Sequence, residues 1–215
     1  REQEALRELE QRRSAVAGSS DEARLLPVLA RAQMAAGKDL EAERTWRRLR
    51  AVDPRNVEAL RFYEDFHRSR GDFQTLFTTL QFLLSVLEDP VERDRVNRTM
   101  AEIAEEHLKS PERAIEAWKR ILAANPSDRE AEAALVSLYE RTRKWHALLE
   151  FYNERVRQLP PEALEEKITY LRQVIRIFED PDRLPNPENV LATWARILDL
   201  QPDHPEALEV LIRGY

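Results

Sequence analysis

The chain has 215 residues, of which 42% are hydrophobic and 34% are charged, and its formal net charge is −6. This hydrophobic content suffices for a buried core and argues against disorder along the whole length. Glycine is scarce while Ala, Leu, Glu and Arg dominate, so intrinsic propensity favours helix over strand and predicts an all-α protein.

Composition also argues against several classes of function. Acidic and basic residues are interspersed, whereas binding to nucleic acid needs a clustered basic surface. No apolar run approaches the roughly 20 residues of a membrane-spanning helix. Cysteine is absent, which removes disulfides, thiolate catalysis and Cys-based zinc sites and is compatible with either redox compartment. The chain starts at Arg1 without a signal-peptide pattern, so we expect it to be a fragment.

The first predicted element covers residues 1–17. It carries Leu6, Leu9 and Val16 at helix-compatible spacing, so a leading or capping helix is expected there. Residues 18–21 then supply a break followed by a helix N-cap.

A tight turn at Gly37 joins the next two predicted helices into a hairpin. The helix before the turn runs from about residue 22 to residue 36, and the helix after it carries Trp46 and ends at Pro54. One pattern recurs along the chain. A Trp is followed three residues later by Leu or Ile, and a Pro comes five residues after that. Its copies are residues 46–54, 118–126 and 194–202.

The residues of this first hairpin carry a family resemblance. Turn residue Gly37, small residue Ala42, aromatic Trp46 and closing Pro54 follow one another at set spacings. The pattern resembles the tetratricopeptide repeat, a helix–turn–helix unit of ~34 residues. Later units depart from it, because Leu76 replaces the small residue and the last three turns lack glycine. The resemblance implies a right-handed α-solenoid, or superhelix, of antiparallel helical hairpins.

The resemblance extends over nearly the whole chain. Its predicted units cover about residues 22–56, 57–90, 92–126, 129–161 and 163–202, and residues 203–215 start a further repeat or a capping helix. One hairpin cannot cover both of its apolar faces, so each unit must stack on its neighbours. The large rings expected in that stack are Trp46, Trp118, Trp145 and Trp194.

In the family, the first helices of successive units line a concave groove that commonly holds an extended peptide or a partner helix. The resemblance therefore implies a partner-binding groove, whose candidate residues are Arg61, Phe62, Asp65, Phe66, Arg68, Arg95, Arg98, Glu102 and Arg172. Arginines at such spacings can grip carboxylates, but a solvated charged face is the simpler explanation for them. Phe62 and Phe66 lie one helical turn apart and are the better candidates for apolar anchors.

No motif for catalysis, a metal or a cofactor stands out. The four His residues lie in different units without a partner at ligand spacing, and the chain has no Gly-rich phosphate loop. His67 falls on an apolar stripe and is predicted to be a packed, hydrogen-bonded side chain. We therefore expect no enzyme activity and no cofactor.

The leading hypothesis is a protein-interaction scaffold or adaptor that binds a peptide or helix of a partner protein in the groove. One alternative is a structural solenoid that self-associates through its exposed terminal helices. Another is a regulatory segment of a larger multidomain protein. Nucleic acid and membrane insertion are not expected.

Overall fold

A computed structural model gives the fold and describes residues 2–19 and 21–214. These residues form twelve α-helices and no β-strand, so the all-α prediction is confirmed. The helices are α1 (Glu2–Val16), α2 (Glu22–Ala35), α3 (Asp39–Val52), α4 (Val57–Ser69), α5 (Phe73–Val86), α6 (Pro90–Glu106), α7 (Pro111–Ala124), α8 (Arg129–Arg141), α9 (Trp145–Gln158), α10 (Leu164–Glu179), α11 (Pro187–Leu200) and α12 (Pro205–Gly214). They form two compact units, Arg1–Asp128 and Arg129–Tyr215.

Short polar side chains and prolines fix where several helices begin. The Asn56 side chain accepts a hydrogen bond from the Ala59 N–H at 3.1 Å, and Asp72 accepts one from the Thr75 N–H at 3.1 Å. These bonds satisfy N–H groups that the first helical turn leaves without a partner. Helix α6 begins at Pro90, because proline suits the first helical position.

In the first unit, consecutive helices pack as neighbours. Helix α2 packs on α3, α4 on α5 and α6 on α7, while α3 contacts α4 and α5 contacts α6. Leucines on the facing stripes, such as Leu26, Leu49, Leu60 and Leu80, are fully buried. Full burial of such a side chain stabilises the fold by about 1.5–3 kcal/mol, so the stripes are the main source of stability.

The second unit follows the same scheme. Helix α9 packs on both α8 and α10, α10 packs on α11, and α11 packs on α12. Ile168, Leu171, Ile175, Trp194 and Ile197 form its buried cluster. In both units the helices are consecutive packed pairs, as expected for hairpins.

Three of the four Trp rings predicted to be core are buried, namely Trp46, Trp118 and Trp194. The prediction is wrong for Trp145, which is only half-buried. Trp145 is the first residue of α9, and the Arg183 guanidinium lies 4.7 Å from its ring centroid. Its position at the helix start places it at the edge of the apolar stripe.

Four of the turns within hairpins contain a left-handed residue, whether or not glycine is there. Gly37 and Gly71 have φ angles of 69° and 67°, and Lys109 and Arg143 have φ angles of 50° and 53°. A side chain in this region costs roughly 1–2 kcal/mol, whereas glycine adopts it freely. The turns at Lys109 and Arg143 therefore keep the conformation at an energetic cost, whereas the described loop between α10 and α11 contains no residue with a positive φ.

Candidate partner-binding site

An apolar cavity of about 640 Å³ opens between α2, α3 and α4, and we call it the aromatic cavity. Trp46 from α3 and Phe62 from α4 are stacked, with ring centroids 5.4 Å apart and an interplanar angle of 21°. Phe66, one turn along α4, lies 5.7 Å from Phe62. Met34 and Val57 add aliphatic lining. The result is a wall of three aromatic rings that faces solvent.

The wall is held from behind by the core. Tyr63 is buried and packs edge-on against Phe62 at 5.2 Å and Phe66 at 5.8 Å. The Trp46 indole N–H donates to the Met34 sulfur at 3.5 Å. Phe62 and Phe66 remain half-buried, and Met34 is 44% exposed. The rings are thus fixed in place while part of their surface remains open.

Charged groups form the rim of the aromatic cavity. Four carboxylates and two guanidinium groups line it; these are Asp39, Glu43, Glu58, Asp65, Arg31 and Arg61. Arg31 is already paired with Glu58 at 2.6 Å, and Arg61 is bonded to Glu64 and Glu92. The lining itself therefore carries more carboxylates than guanidinium groups, although Glu43 and Asp65 also pair with Arg47 and Arg68, which do not line the cavity.

Most of the predicted groove arginines pair with acids of a neighbouring hairpin. The Arg98 guanidinium lies 2.5 Å from an Asp128 oxygen, and Arg172 lies 2.5 Å from Glu206. Arg61 bonds to Glu92 in the same way. Each pair spans about thirty residues of sequence. Arg61–Glu92 joins α4 to the start of α6 in the first unit, and Arg172–Glu206 joins α10 to the start of α12 in the second. These arginines therefore link successive hairpins within each unit.

The densest cluster of charge surrounds Glu64, which is 2% exposed. Its carboxylate accepts hydrogen bonds from Arg61 at 2.9 Å, from Arg68 at 2.9 Å and from Arg95 at 3.0 and 3.2 Å. A buried carboxylate needs such partners because its desolvation is costly. We call this set the Glu64 cluster. It links α4 to α6, and it uses three of the arginines that the sequence placed in the groove.

The remaining candidates are dispersed. Asp65 lines the aromatic cavity, is 82% exposed and lies 3.2 Å from Arg68. Glu102 is exposed on α6 and lines neither this cavity nor the Glu64 cluster. Arg172 belongs to the second unit and is described above. Of the predicted groove residues, the structure thus brings Arg61, Phe62, Asp65 and Phe66 together around one cavity.

Sequence reasoning missed the contributions of α2 and α3 to this cavity. Trp46 was expected in the core, and neither Trp46 nor Met34 was expected beside the two phenylalanines. The signal available was the spacing itself, because Met34 and Trp46 lie on opposite sides of the Gly37 turn and so meet across the hairpin.

The second unit contains a polar network among α8, α9 and α10. The Tyr170 hydroxyl donates to Glu132 at 2.7 Å, and Arg155 donates to the other oxygen of the same carboxylate at 3.0 Å. Burial, aided by Glu140 and Glu132, raises the pKa of nearby Tyr152 to about 12. These bonds connect α8, α9 and α10, although the buried Nε of Arg155 has no hydrogen-bond partner among the described residues.

The described residues also bear on other kinds of site. Among them, no three His, Cys, Asp or Glu side chains are placed to share a metal ion. No described helix combines the length and hydropathy needed to cross a bilayer. On α12, Leu208 and Ile212 are exposed, and self-association through this terminal helix stays a prediction.

Comparison with known proteins shows similarity in structure only. No protein-family model matches the sequence, and no curated protein matches it. The structure described as Naa15/Naa10 bound to HypK-THB aligns with 99% of this chain and 36% of its own, at 16% identity and a TM-score of 0.53. A tetratricopeptide repeat protein from Parabacteroides merdae aligns over 98% of this chain and 91% of its own, at 13% identity and a TM-score of 0.46.

A third similar structure is YrrB, described as a TPR protein with an unusual peptide-binding site. It aligns over 92% of this chain and 95% of its own, at 14% identity and a TM-score of 0.43. The consecutive helix pairs and the match at 0.53 show the fold, which is the tetratricopeptide-like array of helical hairpins that the sequence predicted. The right-handed twist of that array stays a prediction.

Proposed function

We propose that this chain is a protein-interaction scaffold whose aromatic cavity binds an apolar side chain of a partner helix or peptide, next to a Lys or Arg of that partner. The observation that carries the proposal is the aromatic wall of the cavity, in which Phe62 and Phe66 are partly exposed and the buried Trp46 stacks on Phe62. The hairpin fold supports it, since arrays of this type present extended surfaces for partners. One similar structure, Naa15/Naa10 bound to HypK-THB, is itself a protein assembly.

The apolar half of the ligand follows from the lining. Aromatic residues and Met are enriched at protein interfaces and carry a large share of binding energy. A cavity of about 640 Å³ is large enough for a Leu, Met, Phe or Trp side chain with part of its backbone. The wall is already ordered by Tyr63 behind it, so binding requires little rearrangement.

The basic half of the ligand follows from the rim. Asp39 and Asp65 lie at the edge of the cavity beside Glu43 and Glu58, and both guanidinium groups of the rim are already bonded to carboxylates. A cationic residue next to the apolar anchor complements this charge, whereas an acidic residue meets like charge. We therefore assign the site to a partner segment with an apolar anchor and an adjacent Lys or Arg.

Selection from a displayed library of random peptides tests the proposal. We expect the enriched peptides to share an apolar anchor within one or two positions of Lys or Arg. A Phe62→Ala change is expected to weaken their binding at least tenfold, because a buried anchor loses its stacking surface. The dissociation constant is measured by titration with a labelled peptide.

Phe82 provides the matched control. It is a phenylalanine on α5, is 47% exposed and lies outside the cavity, so Phe82→Ala should leave the affinity unchanged. A charge reversal at the exposed rim, Asp65→Lys, should weaken binding several-fold and reduce its dependence on salt. Peptides that bind Phe62→Ala as tightly as the unchanged protein would show that the cavity is not the site.

A further inference from the structure

A second cavity, of about 690 Å³, lies between α3, α4 and the first turn of α5. We call it the arginine cavity, because Arg47, Arg50 and Arg70 all line it. Tyr63 and His67 also line it, and Phe66 borders both this cavity and the aromatic one. Nothing in the proposed function uses it.

Two of its guanidinium groups are held over aromatic rings. Arg50 lies 4.8 Å from the centroid of Tyr63, and Arg70 lies 4.0 Å from the centroid of Phe66. Within residues 2–19 and 21–214, neither arginine forms an ion pair with a carboxylate. A cation–π contact orients a guanidinium without neutralising it. Both positive charges therefore remain available to a ligand, unlike those of Arg61, Arg95 and Arg98.

The same cavity is lined by one imidazole. His67 is half-buried and stacks on Tyr63 at 5.6 Å, in agreement with the packed position predicted for it. Burial lowers the pKa of His67, the carboxylate of Asp72 acts in the opposite direction, and Arg50 and Arg70 both lower it further. The pKa of His67 therefore responds to the charge in this cavity.

The carboxylates near the cavity already have partners or lie apart from this pair. Glu43 accepts a bond from Arg47 at 2.7 Å and one from the Tyr63 hydroxyl at 3.4 Å, so it offsets the charge of Arg47. Asp72 caps α5 through the Thr75 N–H and lies 3.9 Å from the His67 ring. Asp39 lies in the first turn of α3, where the helix dipole stabilises it. Arg50 and Arg70 are left as the donors that face the open space.

We propose that the arginine cavity binds a phosphate group. Guanidinium groups from α3 and from the end of α4 approach it from two directions, and a phosphate offers more acceptor oxygens to such donors than a carboxylate does. The phosphate is either free in solution or carried as a monoester on a peptide. The inference is independent of what binds in the aromatic cavity.

Titration of the histidine resonances by NMR tests this inference on the whole chain. Inorganic phosphate is added at constant ionic strength, with acetate as the carboxylate comparison and N-acetyl-phosphoserine amide as the monoester. We expect phosphate to shift the His67 signal saturably and to raise the pKa of His67, because a bound anion opposes the effect of the two arginines. The exposed His107 and His146 serve as internal references.

Substitutions connect the signal to the cavity. Arg50→Gln and Arg70→Gln should each weaken phosphate binding about tenfold, since each removes charge-assisted hydrogen bonds. Both residues make only ring contacts, so both variants should melt close to the unchanged protein. Arg44→Gln is the control, because Arg44 is an exposed residue of α3 that lines neither cavity.

Tighter binding of the monoester than of inorganic phosphate would identify a phosphorylated peptide as the source, and the reverse order would identify the free ion. A chemical shift of His67 that rises linearly with phosphate concentration, without saturation, overturns the proposal. Equal shifts with acetate, or unchanged binding in both arginine variants, would overturn it as well.

Discussion

Within the first unit, side chains on the first helix of one hairpin contact the first helix of the next, and we call each such place a joint. Two of these joints are filled in different ways. Between α2 and α4, one ion pair of Arg31 and Glu58 lies beside three aromatic rings, and a cavity stays open. Between α4 and α6, the Glu64 cluster places a buried carboxylate among three arginines. Charged groups that bond to one another close a joint, whereas rings on its exposed side leave a cavity open. The same repeat thus builds both an open aromatic cavity and a structural link.

The largest effect is expected from removing the buried ring of α7, the helix that packs on α6. Trp118 is buried on α7, and its indole N–H donates to Glu105 at 3.2 Å. Trp118→Ala should lower the free energy of unfolding by about 3–5 kcal/mol, because it removes burial and leaves a hole. Urea unfolding followed by circular dichroism measures the change. Trp145→Ala at the half-buried position should cost clearly less, and equal losses would contradict this account of the packing.

The charge at the centre of the second joint comes next. Glu64→Gln removes the buried carboxylate that three guanidinium groups share and leaves them only their more exposed partners Glu92 and Asp65. It should destabilise the protein by about 2 kcal/mol. Glu92→Gln removes a more exposed partner of Arg61 and should cost less than about 1 kcal/mol. Thermal melts of both variants give the comparison. A neutral effect of Glu64→Gln would mean that the cluster does not hold α4 against α6.

A smaller effect separates the turns of the early and later hairpins. Lys109→Gly and Arg143→Gly should each raise stability by about 0.5–1 kcal/mol, because glycine removes the strain of a positive φ but adds freedom to the unfolded chain.

Gly71→Ala is the reciprocal variant for the turns. A Cβ there meets no atom closer than 3.9 Å, so the expected loss of about 1 kcal/mol reports backbone strain alone. If Lys109→Gly and Arg143→Gly both lowered the stability of the protein, this would contradict the turn geometry. Chemical denaturation resolves differences of this size when the m value is shared.

The last prediction concerns pH and the closing of the first hairpin. The bidentate bond from Arg48 and the Gly18 N–H lower the pKa of Glu22 to about 2, from its usual 4.5. A carboxyl whose pKa is lower in the folded state stabilises the fold above pH 4.5 and loses this effect as the pH falls towards 2. Tm measured from pH 6 to pH 2 should fall less steeply for Glu22→Gln than for the unchanged protein. If Tm fell equally steeply with pH for both proteins, this would contradict the low pKa assigned to Glu22.

The helices were predictable because their signals are local. Trp46, Trp118 and Trp194 each stand in a stripe that one turn of helix explains, and a proline or a turn residue follows each stripe. The left-handed turns at Lys109 and Arg143 were not predictable in the same way. Neither residue favours that backbone region, and only the packing of the flanking helices requires it.

The site was predictable in part. Phe62 and Phe66 were identified from α4 alone, since both exceed what one apolar stripe needs. The role of the arginines was not readable, because Arg61 and Arg98 have partners about thirty residues away and sequence pattern carries no information on such pairs. Trp46 shows a further limit, since a residue can be nearly fully buried and still support the wall of a cavity.

The ion pairs between hairpins have a consequence for how such a chain can grow. Helix α4 bonds backwards through Glu58 to Arg31 and forwards through Arg61 to Glu92, and α6 likewise carries Glu92 and Arg98. A hairpin with an acid near its start and an arginine further along can form an ion pair with the hairpin before it and another with the hairpin after it. Tandem duplication of its coding segment therefore yields a copy that already fits its parent, and the array lengthens without a new interface having to evolve.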